Sequence, residues 1–550
     1  MSHPYPPSPA GEYIIFNACI PVRRRDITEA DSLHIRDGVI VWVGSAGSRS
    51  APVDARGRSD KPVWDVEGRT VVPGFIDNHV HTLISGELAS EPDLGGLDEG
   101  SIREVIRDVA ANTRAEEPIY GHGWDYSSWP KPNKNVIDDI VSDRPVALFQ
   151  FSGHAACVNT AMLQKLGIDR NTPDPSGGAI DRDDSGEPTG VLREEASSVI
   201  HATRMKLVNR DPERLDRAII RAQQSFSRLG ITSVGDNTWY PPSVRSLVRL
   251  SRRGELLCRT SVWSLGSEPV DRLRIRLSRH NPPLVTRGAE KYFLDGAFST
   301  HTANLIEPYE GEPGNCGTVI LGGAKLDRVI RSLTLRRTQG AFHAIGDGAV
   351  HSFLNAVERT YAAGWVQRRI SGIRGDPGLR HRLEHCQLVH EGDLARFSML
   401  GVHAAVQPHA IGSFEKDAEI LGEERAGRAY PYRQMLDAGV PLSFGSDAPA
   451  EPSVDPLEGI RKACFRPPGQ AITVREAIQC YTTGSAAAEG SELHKGHVAP
   501  GMMADLVILS DNPCRYDFDG DRAALIDTVV EVTIMGGNIT YDRLNGGRVE

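Results

Sequence analysis

The stretch that decides the fold runs from Val71 to His81 and reads Val-Val-Pro-Gly-Phe-Ile-Asp-Asn-His-Val-His. A short apolar run of this kind, bounded by Pro and Gly, is typical of a buried strand. His79 and His81 are two residues apart, so in a strand their side chains point to the same face. Two imidazoles that converge from one strand end can bind a metal ion such as zinc, although histidines that pack or face solvent would give the same pattern. Asp77 has the same parity, and it would equally serve as a turn or capping residue.

Seven further apolar segments along the chain end in or near polar residues, and amphipathic helical patterns lie between several of them. With Val72–His81 they make eight candidate strands, the others being Ile231–Asp236, Arg259–Leu265, Lys291–Asp295, Ala341–Ile345, Arg382–Gln387, Val402–Gln407 and Pro441–Asp447. The helical patterns include Leu215–Leu229, Leu326–Thr338 and Glu391–Met399. Repetition of strand and helix eight times predicts an α/β fold with a (β/α)8 TIM-like barrel, whose catalytic groups lie at the C-terminal ends of the strands.

The two ends of the chain and one long gap complete the predicted domain organisation. Both ends read as short strands separated by turns, so we expect them to pair into one composite β-sandwich domain. About 150 residues separate the first two barrel strands, far more than a βα unit needs, and this gap must hold an insertion. We read the insertion as a cap that faces the substrate. The predicted parts are a flexible N-terminus (1–12), the composite β domain (13–72 plus 498–545), the barrel (73–85 plus 213–497) and the cap (86–212).

Composition excludes several classes of protein. The net charge is −10 and no block of Lys/Arg stands out, so nucleic-acid binding is not expected. No apolar run reaches the roughly 20 residues that span a bilayer, and the N-terminus does not read as a secretory signal. The eight cysteines are dispersed and form no CxxC pair, which in a chain of 550 residues predicts reduced thiols and a cytoplasmic location.

Four more residues with the chemistry of metal ligands lie at the ends or edges of other predicted strands. They are Lys291, His343, His385 and Asp447. Taken singly, a His or Asp at a strand end is usually a cap or a satisfied polar group. Because four strand ends supply nitrogen and oxygen ligands together, packing does not account for them, and the combined pattern predicts a metal site.

In order and number, these residues resemble the amidohydrolase superfamily. Within it the chain is similar to the amidohydrolase 3 (YtcJ-like) family, which includes N-substituted formamide deformylases. The supporting segments extend over nearly the whole chain, from about residue 13 to 541, and begin at Gly121 (GHGWD), Ser152 (SGHAACVN), Gly190 (GVLRE), Lys291 (KYFLDG), His343 (HAIGD), Glu384 (EHCQ), Gly445 (GSDAP) and Pro500 (PGMMADL). The resemblance implies one or two divalent metal ions, with zinc expected, and the ligands His79, His81, Lys291, His343, His385 and Asp447.

The resemblance also implies that Lys291 is carboxylated by CO2 and bridges two metals. A Lys ammonium has no lone pair and would repel a cation, whereas a carbamate offers two anionic oxygens. The alternative is an unmodified Lys291 that pairs with a carboxylate such as Asp295, in which case one metal is expected.

Five residues are candidate substrate contacts: Trp124, His154, Asp295, Phe298 and His301. Phe298 and His301 lie in Ala297-Phe-Ser-Thr-His-Thr-Ala, which departs from the more Ser/Gly/Arg-rich form of the family and would reshape the pocket. Loop packing explains both equally well. Trp124 would instead pack the cap against the barrel, and His154 would instead be a satisfied histidine in a strand-end turn.

The predicted reaction is hydrolysis of an amide-type C–N bond in a small molecule by metal-activated water, with N-formyl and N-acyl bonds as the candidates. Asp447 would accept the water proton and pass it to the leaving nitrogen, and Lys291 and His343 complete the catalytic set. The same metal site would also suit deamination, lactone hydrolysis or a lyase reaction, because the barrel does not choose among them. A barrel that binds a small molecule without turnover is a further alternative. Analogy with the family suggests a homodimer.

Overall fold

The chain forms two compact units, Met1–Thr82 with Gln223–Glu550 and Leu83–Ala222. The computed structural model describes residues 11–21, 30–114, 117–151, 155–175, 177–208, 211–237, 241–266, 283–362, 379–467 and 469–546. Strands are numbered β1 to β21 along the chain. The smaller unit begins 3 residues before the predicted insertion, 86–212, and ends 10 residues after it.

The two chain ends form a sandwich of two four-stranded sheets in the larger unit. One sheet has the order β3-β2-β1-β4 and consists of β1 (Tyr13–Phe16), β2 (Ser32–Arg36), β3 (Val39–Gly44) and β4 (Val63–Asp65). The other has the order β21-β20-β19-β5 and consists of β5 (Thr70–Pro73), β19 (Leu506–Leu509), β20 (Val530–Met535) and β21 (Asn538–Asp542). Buried side chains of both sheets, including Ile15, Leu33, Ile508 and Val532, share one hydrophobic core. The prediction that the ends pair in one sandwich is confirmed.

Eight parallel strands form the barrel of the larger unit. They are β6 (Phe75–Val80), β12 (Ile231–Asp236), β13 (Arg259–Leu265), β14 (Val285–Phe293), β15 (Gly340–Ala344), β16 (Arg382–His385), β17 (His403–Val406) and β18 (Leu442–Phe444). Most of their residues are buried because a parallel barrel is covered inside and outside. The predicted barrel and its eight strands are confirmed.

Backbone hydrogen bonds between the first and last strands close the barrel. The N–H of Asp447, just beyond β18, donates to the oxygen of His79 in β6 at 2.7 Å, and the N–H of His81 donates to the oxygen of Ala448 at 2.9 Å. Asp77 reinforces this seam, since its carboxylate accepts from the backbone N (2.9 Å) and Oγ (2.6 Å) of Ser446. Closure therefore places the ends of β6 and β18 side by side.

One strand differs from its prediction. β14 begins at Val285, six residues before the predicted start at Lys291, so Lys291 lies in its second half. Thr286 and Arg287 near its start are exposed and polar, so the sequence did not show where the strand begins.

Helices alternate with the barrel strands along the chain and extend into its C-terminal third. The longer ones are Pro212–Arg228, Pro241–Arg253, Gly323–Arg336, Asp347–Ala362, Glu391–Leu400 and Pro456–Cys464. Shorter ones are Thr82–Leu88, Phe414–Leu421, Glu423–Arg428, Tyr432–Asp437, Val474–Gln479, Ser485–Ala488, Tyr516–Asp519 and Arg522–Ile526. Short 3-10 helices are Pro408–Ala410 and Pro513–Arg515, and Cys480–Gly484 is a π-helix. No helix in the described ranges combines the length and the apolar character that crossing a membrane requires.

The smaller unit is built on a five-stranded sheet of order β10-β11-β9-β8-β7. Its strands are β7 (Ile119–Trp124), β8 (Val146–Gln150), β9 (Ala155–Val158), β10 (Gly178–Arg182) and β11 (Pro188–Glu194), and its helices are Glu99–Asn112, Lys134–Asp138, Thr160–Leu166 and Glu195–Val208. Alternate residues of the strands belong to two different hydrophobic clusters. Leu148 and Cys157 pack in one cluster, and Phe149 and Ala156 pack in the other. This unit therefore has its own core on both faces of its sheet.

Candidate metal centre

Two histidines and an aspartate converge where β6 and β18 end. The Nε2 atoms of His79 and His81 each lie 3.2 Å from Oδ1 of Asp447. One ligand atom from each of the three residues lies within 4.8 Å of the others. His79 is fully buried, and the other two side chains keep little exposure. The structure thus brings three of the six predicted metal ligands into one compact group.

The second nitrogen of each imidazole has its own partner. Nδ1 of His79 lies 2.7 Å from Oε2 of Glu384, and Nδ1 of His81 lies 3.1 Å from the backbone oxygen of Asn237. A carbonyl oxygen and an ionised carboxylate only accept hydrogen bonds, so a neutral ring carries its proton on Nδ1 and a lone pair on Nε2. Both of these lone pairs face Asp447.

Electrostatics favour a neutral His79 beside an ionised Asp447. Burial and the nearby Lys291 lower the pKa of His79. For Asp447, burial acts to raise the pKa, but His79 and His81 outweigh it and hold the pKa well below its usual range. The side-chain amide nitrogen of Asn237 also reaches this centre and lies 3.3 Å from Nε2 of His79. Two imidazole nitrogens and one carboxylate oxygen form a donor set that fits zinc.

Glu384, which anchors His79, is held by a buried arginine. Nε of Arg382 donates to Oε1 of Glu384 at 2.8 Å, and Nη2 donates to Oε2 at 3.1 Å. The guanidinium lies 4.5 Å from the ring centroid of Trp263, whose ring is 5.2 Å from that of His79. Burial acts to raise the pKa of Glu384, but Arg382 and His79 hold it well below the usual range. The carboxylate is thus ionised and paired.

His343 and His385 lie beside the three-residue group. The ring centroid of His385 is 4.4 Å from that of His343 and 5.4 Å from that of His79. Burial, with the Lys291 charge, lowers the pKa of His343 to about 4, and burial lowers the pKa of His385 well below its ordinary value. Nε2 of His343 is 3.0 Å from the backbone oxygen of Gly296, so Nδ1 carries the lone pair of the neutral ring.

Lys291 is buried in β14, on the same side of the barrel as these histidines. Burial lowers the pKa of its amine, although Glu384 and Asp447 act in the opposite direction. Its Nζ lies 5.3 Å from the ring centroid of Phe293. Lys291 does not form the alternative ion pair with Asp295. The Asp295 carboxylate instead accepts hydrogen bonds from three backbone N–H groups, those of Asn304, Ile345 and Gly346.

Three predicted substrate contacts help to fix the loop after β14. Asp295 is buried, and burial raises its pKa to about 7. Phe298 is also buried. His301 pairs through Nδ1 with Glu312 at 2.6 Å and stacks on the Tyr309 ring at 4.9 Å. These contacts match the loop-packing alternative for Phe298 and His301, and substrate contact at all three positions stays a prediction.

The two predicted contacts of the insertion have different outcomes. Trp124 is fully buried in the core of the smaller unit, where its indole N–H donates to the oxygen of Leu148 at 2.7 Å. Its ring packs against those of Tyr126 and Trp129. Trp124 therefore packs within the smaller unit, and substrate contact at this position stays a prediction. His154 lies outside the described residues.

Sequence reasoning assigned no role to Glu384, Arg382 and Asn237. A signal was present in β16, where two charged residues two positions apart lie in a strand that the barrel buries completely. Buried charges of opposite sign must pair, so Arg382 and Glu384 pointed to an internal ion pair. Asn237 offers its backbone oxygen to His81, for which the residue type gives no signal, and its side-chain amide nitrogen lies 3.3 Å from Nε2 of His79.

Comparisons with known proteins agree with this geometry. The family model described as amidohydrolase family matches residues 63–541. The chain belongs to the amidohydrolase family. It is 31% identical to amidohydrolase YtcJ of Bacillus subtilis (strain 168), over 94% of this chain and 97% of that protein. It is 29% identical to the N-substituted formamide deformylase of Arthrobacter pascens, over 92% of this chain and 95% of that protein.

A solved structure extends the comparison to three dimensions. An uncharacterized metal-dependent hydrolase from Pyrococcus furiosus superimposes with a TM-score of 0.73 at 26% sequence identity, covering 92% of this chain and 100% of that one. This amidohydrolase is therefore a metal-dependent hydrolase, and the enzyme class predicted from the sequence is confirmed.

Proposed function

We propose that this amidohydrolase hydrolyses the C–N bond of a small amide, of N-formyl or N-acyl type, at the centre formed by His79, His81 and Asp447. The supporting observation is the convergence of two anchored imidazoles and one carboxylate oxygen at the ends of β6 and β18. The similarity to a formamide deformylase supports the choice of bond.

We propose that the centre holds one or two divalent ions, with zinc preferred for its affinity for imidazole and carboxylate. Nε2 of His79, Nε2 of His81 and Oδ1 of Asp447 would hold the first ion, and Lys291, His343 and His385 would serve the second. A divalent ion bound here supplies Lewis acidity, which makes water a nucleophile near neutral pH and polarises a carbonyl group.

Lys291 suits the carboxylation that a two-metal site requires. Its amine is buried, and burial lowers its pKa, so the neutral nucleophilic form is more accessible than in an exposed lysine. Addition of CO2 to that amine forms an N–C bond, releases one proton and leaves an anionic carbamate. Two histidines with neutral rings, His343 and His385, lie in the same part of the barrel to complete the second ligand set.

Asp447 is the proposed proton carrier of the reaction. It is ionised, and its Oδ1 lies at the point on which both imidazoles converge. Its carboxylate accepts a proton from the attacking water and later gives that proton to the leaving nitrogen, so the amine departs neutral. Glu384 and the Asn237 oxygen keep His79 and His81 in one tautomer throughout.

The decisive experiment combines a substrate panel with Asp447→Asn. N-formyl amides, N-acyl amides, cyclic amides, esters and amino-heterocycles are assayed after removal of metal by a chelator and after restoration with Zn²⁺. We expect amide turnover only with metal. Asp447→Asn should retain most of the metal but lower kcat by about 10²–10⁴-fold, the usual contribution of a general base. Near wild-type kcat in this variant would show that the base assignment is wrong, and a purified protein without divalent metal would favour a binding protein.

The proposed substrate is a small molecule in the cytoplasm. All eight cysteines are free thiols, and six of them are buried. Unpaired thiols are typical of proteins in a reducing compartment.

A further inference from the structure

Glu384 is a fully buried carboxylate that takes no part in the proposed proton transfers. We infer that Glu384 is a positioning residue that holds His79 in the tautomer and orientation presenting Nε2 to the metal, and so raises the metal affinity of the centre. The inference rests on the proposed ligand role of His79. It assigns a function to a residue that is not itself a ligand.

The anchors of the two imidazoles are unequal. His79 has a carboxylate oxygen 2.7 Å from Nδ1, whereas His81 has a neutral backbone oxygen 3.1 Å from Nδ1. A charged acceptor makes a shorter and stronger hydrogen bond than a neutral one and increases the electron density on the opposite nitrogen. His79 is therefore the stronger donor of the pair, and its strength depends on Glu384.

Glu384 has no freedom to leave this position. Arg382 binds both of its oxygens, and Nη2 of Arg382 also donates to the backbone oxygen of Asn78 at 3.0 Å, next to His79 in β6. The Trp263 ring covers the guanidinium at 4.5 Å. His79, Glu384, Arg382 and Asn78 therefore form a closed link between β6 and β16, and this link fixes the carboxylate opposite Nδ1 of His79.

Replacement of Glu384 by glutamine tests this link with almost no change of shape. The glutamine amide can turn its NH2 group toward Nδ1 of His79, which would place the ring proton on Nε2 and block the ligand atom. Even with its oxygen toward Nδ1, the amide carries no charge. We therefore expect Glu384→Gln to weaken Zn²⁺ binding by about 10–100-fold, as other partners of metal-bound histidines do.

The experiment measures Zn²⁺ affinity by competition of the metal-free full-length protein with a chromophoric chelator. The absorption spectrum of the Co²⁺-loaded protein reports ligand geometry independently of activity. Asp505→Asn is the matched control, because it removes the carboxylate from another buried bidentate pair, Arg259 with Asp505, in which no histidine takes part. We expect weaker binding and an altered Co²⁺ spectrum in Glu384→Gln, and wild-type values in Asp505→Asn.

Two further variants separate the possible failures. If His79→Asn binds Zn²⁺ as the wild type does, the proposed ligand set is wrong. If His79→Asn loses Zn²⁺ while a folded Glu384→Gln keeps wild-type affinity and spectrum, the ligand set stands and the role of Glu384 is refuted. Should Glu384→Gln not fold, Glu384→Asp keeps the charge for Arg382 and only withdraws the carboxylate from Nδ1. Unchanged affinity in that variant refutes the inference equally.

Discussion

His381 shows how burial sets the protonation of single residues in this barrel. It directly precedes β16, is completely buried, and its Nδ1 accepts a hydrogen bond from the N–H of Gly340 at 3.0 Å. Burial lowers its pKa to about 4 from 6.5. The same cause acts on His343 and His385, so these three histidines are neutral at physiological pH.

His381 should make stability depend on pH in a defined window. Below pH 6.5 the unfolded chain protonates this ring, whereas the folded ring stays neutral until about pH 4, so the unfolded state takes up more protons and stability falls as pH falls. Over that window the loss amounts to about 3 kcal/mol. In His381→Asn this loss is absent, because the amide does not titrate.

Denaturant unfolding of the metal-free protein at several pH values between 7 and 4 checks this prediction. The difference in the free energy of unfolding between the wild type and His381→Asn should become smaller as pH falls. A constant difference across the window would mean that the folded ring takes up a proton as readily as the unfolded one.

At the scale of the elements, the seam between β6 and β18 depends on a residue without a side chain. A Cβ at Gly445 would lie 2.7 Å from the N of His79, 2.9 Å from Oδ1 of Asn78 and 3.0 Å from Oδ1 of Asp77. These distances are shorter than ordinary contacts, and they involve β6, the strand that carries His79. The close approach of the two strands therefore requires glycine here.

Gly445→Ala should push the two strands apart. We expect a loss of about 1–3 kcal/mol in the free energy of unfolding, as for other overpacked sites. Zn²⁺ affinity should fall too, because the backbone of His79 would shift. Gly412→Ala is the control, since a Cβ there meets no atom within 4 Å. Thermal unfolding and Zn²⁺ titration of both variants test this prediction. Equal stability and equal Zn²⁺ affinity of the two variants would contradict the explanation.

Trp124 belongs to the core of the smaller unit, and its removal should act there. Trp124→Ala deletes a fully buried ring and the hydrogen bond to Leu148, which should cost about 3–5 kcal/mol. Hydrogen exchange followed by mass spectrometry should show faster exchange in peptides of Leu83–Ala222. Phe151→Ala, at a side chain that is 71% exposed, should leave exchange unchanged. If Trp124→Ala impairs only substrate binding, Trp124 is a substrate contact after all.

At the scale of the whole molecule, the sandwich and the barrel share a buried ion pair. Arg259 at the start of β13 binds Asp505, just before β19, through Nε at 2.7 Å and Nη2 at 3.0 Å. Both side chains are more than nine-tenths buried. The pair joins residues 246 positions apart in the chain.

Replacement of one partner of this ion pair should destabilise the protein more than replacement of both partners. Arg259→Met leaves the Asp505 charge buried without its partner and should cost about 3–5 kcal/mol. Arg259→Met with Asp505→Asn should recover part of that loss, because no buried charge remains. A double-mutant cycle by thermal unfolding measures the coupling, and simple addition of the two single effects would show that the pair contributes nothing.

The sequence alone determined the barrel and the kind of chemistry. Apolar runs that end in polar residues marked the eight strands, because burial of a parallel strand is recorded in its own residues. The His79/His81 pair was readable for the same reason, since parity within one strand sets the direction of both side chains.

Only the tertiary structure decided which residues support the ligands and where the polar strand β14 begins. Glu384 meets His79 across 305 positions of the chain, and the partner of His81 is a backbone oxygen. Contacts of this kind depend on strand order and barrel closure, which local periodicity does not record. The same holds for Trp124, because an aromatic residue beside a glycine has the same appearance in a sequence whether it faces a substrate or a core.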